Sequence, residues 1–160
     1  MESDGRRCTA VTELIHLFLQ TLAAAAGTVS FSVLFGVPVT YYRHCALIGG
    51  AGWFLYLLIV PASTAAVATF AATVLVILMS RWFAVRKQCP VTIFLISGII
   101  PLVPGAGIYW ASFYAVTGNM YKAFHTGLAA LKVAIAIVLG IVFVFELPQK
   151  LFTIGTRKKL

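Results

Sequence analysis

The sequence predicts an all-α integral membrane protein: a single transmembrane domain over residues 1–160, with five spanning helices and a break in the fourth. Three observations carry that expectation. First, 61% of the 160 residues are hydrophobic, only 10% are charged, and mean hydropathy is +1.00. A soluble domain carries roughly a quarter charged residues. Second, apolar runs near the length of about 20 residues needed to cross a hydrocarbon core recur along the chain, separated by short connections. Third, "GIIPLVPGAGIYW" at 98–110 sets Pro101, Pro104, Gly105 and Gly107 inside an apolar run that contains no charge.

The elements follow in order. The first span covers 14–36 and ends at "FGVPVTYYRH", where Pro38 stops the helix and Arg43 and His44 mark water. Arg6, Arg7 and the alanines at 23–26 imitate a secretory signal, but the apolar run continues through Gly36, and Glu2, Asp4 and Glu13 interrupt the basic front. A retained first helix is expected. The second span, 45–62, is short and borrows Pro61 and Ala62. "PAST" makes a tight hairpin into the third, 63–83, and the count falls to four if these two fail to separate. The fourth span is 93–116 and the fifth 126–147, followed by a basic tail ending "TRKKL". "AAAAG", "GGAG", "STAAVATFAA" and the pair Ala136 and Gly140 are small-residue faces, which let helices approach where lipid offers no hydrophobic drive.

The net charge of +8 comes from 12 Lys and Arg against 4 acidic residues. These cations lie mostly between or beyond the apolar segments, as solvated flanks of a bilayer, so nucleic acid is not the expected partner. Five spans put Arg43, Arg81, Arg86, Lys87 and the tail (Lys150, Arg157, Lys158, Lys159) on one side, against Arg6, Arg7 and Lys122 on the other. That bias predicts an outside N-terminus and a cytoplasmic C-terminus. Trp82 and Tyr41 beside loops read as interface anchors. An odd span count with unsatisfied small-residue faces suits a chain that self-associates or completes a membrane partner. Cys8, Cys45 and Cys89 are odd in number and lack ligand spacing, so neither a disulfide framework nor a zinc site is expected. No nucleotide motif, metal cluster or nucleophile–base pair appears. An enzyme, a primary pump and a cofactor are therefore not expected.

A broken span is tolerated only against protein or a wet cavity. Each proline removes a donor and clashes with the preceding turn, while Gly105 and Gly107 are expected to supply unusual dihedrals and bare backbone. Carriers place substrate at such breaks because a half-helix N-terminus presents free amides to an anion. A plain kink competes with a site or hinge, and the clustering favours the site. Lys132 lies about two turns into the fifth span counted from Thr126. It reads either as a snorkelling side chain or as a cation for a carboxylate-bearing substrate. Glu13, near His16, and Glu146 are the candidate carboxylates for proton coupling, each near a span end. A channel fits less well, since no repeating polar face lines a pore.

Two blocks carry a resemblance. "SFSVLFGVPVTYYRHCALIGGAGW" and "SRWFAVRKQCPVTIFLISGIIPLVPGAGIY" resemble the threonine/serine exporter family, specifically the small five-helix membrane subunit of its two-component form and the C-terminal half of single-chain members. The I-P-x-x-P-G motif after a basic loop is the specific part, falling on Ile100, Pro101, Pro104, Gly105 and Tyr109. The resemblance implies ion-gradient-driven export of threonine and serine, or of a dicarboxylate such as succinate, across the bacterial inner membrane. It also implies a larger membrane partner of the same family, with five helices of opposed topology.

Overall fold

The computed structural model describes residues 2–147, with side chains from residue 13 onward. Among these residues the regular structure is entirely helical: α1 (Glu2–Leu34), α2 (Tyr42–Ile59), α3 (Ala65–Lys87), α4 (Val91–Ile99), α5 (Gly105–Val116) and α6 (Met120–Phe145). Four stretches are long and apolar enough to cross a membrane singly: Glu13–Leu34, Val39–Ala62, Ala65–Lys87 and Met120–Phe145. A bent pair, Val91–Leu102 with Gly105–Val116 at 50°, makes a fifth crossing when the two halves are taken as one span. The second and third spans do separate, through a 3-10 turn at Val60–Ala62 and an extended Ser63.

Several boundaries differ from expectation: α1 is helical from Glu2 rather than from residue 14, and α2 from Tyr42 rather than residue 45. Helix α3 runs past Phe83 to Lys87, closed by Gln88 in the left-handed region. Helix α6 starts at Met120 rather than near Thr126. The Asn119 side chain accepts from the Lys122 amide at 3.2 Å, and Gly118 at φ 80° makes the turn before it. A cap of that kind starts a helix ahead of the first apolar run, where hydropathy is blind.

Side-chain contacts fix which ends meet. Tyr41 stands edge-on to Phe94 at 5.5 Å, and His44 to Phe83 at 5.0 Å. The starts of α2 and α4 and the end of α3 therefore share one end of the bundle. Arg81 on α3 donates to the carbonyls of Val144 and Leu147, bringing the end of α6 to that same end. The α4–α5 pair then runs from this end to the opposite one, where α6 begins. Arg81 was expected as a solvated loop cation. It is instead buried, with its guanidinium also facing the Phe145 ring, because the C-terminal carbonyls of α6 need donors that lipid cannot give. Tyr41 likewise packs into the ring cluster, while Trp82 stays exposed under Arg86. The tail cations and the side chains of Arg6, Arg7 and Cys8 lie outside the described residues.

The core is built on close approach. A Cβ at Gly49 would strike the Thr28 side chain, and one at Gly52 the Val76 side chain. At Gly98 it would stand 2.7 Å from Ile48 Cγ2 and 3.0 Å from Val76 Cγ1. Helix α2 is thus clamped between α1 and α3, with α4 laid across it. Cys45 is a buried filler at this crossing, its thiol within reach of the Ser32 and Ser97 hydroxyls, and Cys89 is a free loop thiol.

Candidate functional site

The break has a definite local cause. Pro101 is absorbed in a 3-10 turn, Ile100–Leu102, where its missing donor is tolerated near the start of the turn. Val103 precedes Pro104 and is driven out of the helical region to φ −64°, ψ 131°. Pro104 then adopts φ −76°, ψ 54°, an inverse γ-turn closed by the Gly105 amide on the Val103 carbonyl at 2.7 Å. Pro101 thus lies in the turn where α4 ends, and the sharp departure follows at Val103 and Pro104. Gly105 and Gly107 keep negative φ, so the expectation of unusual dihedrals there is not met. Their use is space: a Cβ at Gly105 would meet nothing within 4 Å, while one at Gly107 would press Ala130 Cβ at 3.1 Å.

The restart leaves the N-terminus of α5 without a side-chain cap. The first-turn amides of any helix lack internal partners, and here those of Ala106 and Gly107 follow directly on the break. They border a cleft of about 240 Å³ that holds Pro101, Pro104, Gly105 and Gly107 together with Trp53 and Tyr56 of α2 and Thr69 of α3. The Trp53 and Tyr56 rings pack together, tilted by 30°, with centroids 5.1 Å apart. The Thr69 hydroxyl is turned back to the Ala65 carbonyl at 2.7 Å. On the other side of Trp53 and Pro101 lies a second cleft, of about 360 Å³, reached by Gln20 of α1.

The other sequence candidates stand elsewhere. Tyr109 is 62% exposed and belongs to an aromatic face of α5 with Trp110 and Phe113, not to the cleft. Lys132 lines a groove between α3 and α6, with Phe70 and Leu139 among its walls. Its neighbour Val133 turns toward the break. Glu13, where the apolar stretch of α1 opens, and Glu146, just past the end of α6, are exposed and line neither cleft. Sequence reasoning missed Trp53, Tyr56 and Gln20. Gln20 had a signal, a lone amide between Leu19 and Thr21 in an apolar run. Trp53 and Tyr56 had none, because aromatics in a spanning helix look alike whichever way they face. No group of side chains among the described residues could hold a metal ion.

No solved structure matches this chain. The family described as Threonine/Serine exporter, ThrE, matches residues 20–146, a range that takes in the clamped glycines of α2, the break and all of α6. This multi-pass membrane protein belongs to the threonine/serine exporter family.

Proposed function

We propose that the chain is a subunit of a bacterial inner-membrane secondary exporter of small carboxylates, threonine and serine or a dicarboxylate such as succinate, and that it works with a larger membrane partner. One observation carries the reading: the uncapped N-terminus of α5 opens onto a cleft walled by Trp53, Tyr56 and Thr69. Free amides and a positive helix end suit a carboxylate, and the Tyr56 hydroxyl offers a further polar contact. Membership of the exporter family supports the transport class. The charge bias of the ends supports an outside N-terminus and a cytoplasmic C-terminus. In this reading Pro101, Pro104, Gly105 and Gly107 form the site, while Tyr109 and Lys132 do not touch substrate. Coupling carboxylates come from the partner, since Glu13 and Glu146 lie away from the cleft.

The test is efflux divided by assembled complex in the membrane. Pro104→Ala restores the Val103–Pro104 link to helix and should abolish export while leaving the complex intact. Gly105→Leu fills open space and should do the same. A second reading is an assembly subunit without its own site, favoured by the absence of any buried residue on α5. That reading predicts normal efflux per complex in both variants.

A further inference from the structure

Lys132 lies about 9 Å into the apolar run of α6, counted from Thr126 at about 1.5 Å per residue, since the first turns of the helix carry Lys122 and His125. A four-carbon stem lifts an ammonium by only about 6 Å, which leaves it about 3 Å inside the nearer boundary of the hydrocarbon core. The side chain lies exposed on the outer surface of the bundle, in a groove of about 360 Å³ formed with Ala66, Phe70, Ile135 and Leu139, walls that offer it no acceptor. Among the described residues no carboxylate pairs with it. Snorkelling therefore leaves this charge short of water, and no described residue neutralises it.

We propose that this groove between α3 and α6 seats a membrane helix of a different protein, and that the helix carries an aspartate or glutamate at the depth of Lys132 to pair with it. Charge complementarity selects the occupant. Lipid tails offer no acceptor, and a buried ammonium without one is strongly disfavoured. A second copy of this chain does not serve. Its acidic residues are Glu2, Asp4, Glu13 and Glu146, all at or beyond the ends of apolar spans, so none reaches that depth. The small residues Ala66 and Ala136 on the two sides of the groove allow the visiting backbone to come close.

A membrane-permeant carbodiimide tests this in native membranes holding the full-length chain. The reagent joins an amine to a carboxylate only where the two already touch, so mass spectrometry of the linked peptides names the pairing atoms without any transport assay. The expected product is an amide between Lys132 and an Asp or Glu in a spanning helix of another protein. Lys132→Met should remove it and cut recovered complex about tenfold or more, while Lys132→Arg should keep the complex within about twofold. A bond to Glu13 or Glu146 of a second copy would overturn the proposal, as would no bond at Lys132 at all. Intact complex in Lys132→Met with a raised half-saturating substrate concentration would also overturn it, and would make Lys132 a substrate ligand.

Discussion

The two halves of the broken span have opposite characters. Helix α4 is a core element: Phe94, Ser97 and Gly98 are buried, and it packs against both α2 and α3. Helix α5 buries no residue, and its one extensive neighbour is α6. Phe94 is 0% exposed, whereas Tyr109, Trp110 and Phe113 on α5 are 62%, 47% and 44% exposed. Both halves are strongly apolar, so composition does not separate them. What separates them is which helices stand beside them. The first half belongs to the fold of this chain, and the second belongs to whatever covers it, whether lipid or another helix.

That contrast breaks most directly at paired aromatics. Phe94→Ala should cost about 3–5 kcal/mol and remove most folded protein. Phe113→Ala should leave the melting temperature of the isolated chain within error, because no close-packed shell is lost. Equal losses on thermal unfolding in detergent would erase the distinction. Next in size, Arg81→Gln removes charged donors to the Val144 and Leu147 carbonyls and should cost about 1.5–3 kcal/mol. The cost should appear as faster proteolysis near the end of α6 while the α4 core persists.

The glycines sharpen the comparison further. Gly98→Ala puts a methyl 2.7 Å from Ile48 Cγ2 and should cost about 1–3 kcal/mol. Gly105→Ala adds a methyl to open space at helical dihedrals and should stabilise by about 0.4–1 kcal/mol. Opposite signs in one melting series would establish that the chain is tight before the break and loose after it. Destabilisation by Gly105→Ala would mean that a neighbour already fills that space.

The sequence made the class and the crossings legible, since apolar runs of spanning length admit few alternatives. The break was legible too, because a residue before proline leaves the helical region for steric reasons that need no neighbours. How the two prolines divide the break was not legible. Pro101 and Pro104 differ only in where each falls in the helical turn. The candidate site was partly legible: Pro101, Pro104, Gly105 and Gly107 line one cleft, but Tyr109 and Lys132 turn to other faces. Depth along a helix can be counted from the sequence, while facing depends on which neighbours arrive. Arg81 shows the same limit, because a cation near a predicted loop gives no sign that another helix will end against it.

Consider the joint at Val103 in mechanical terms. The Ile100 carbonyl is taken by the Val103 amide, the Val103 carbonyl by Gly105, and the Pro104 carbonyl by Ile108. Among the described residues no main-chain bond ties the body of α4 to the body of α5. The 50° bend is therefore not stiffened by a hydrogen-bond ladder as a curved continuous helix would be. Proline sterics at Val103 and Pro104 make the joint, and α5, packed chiefly on α6, is the lever arm through which a push on α6 would load it as torque.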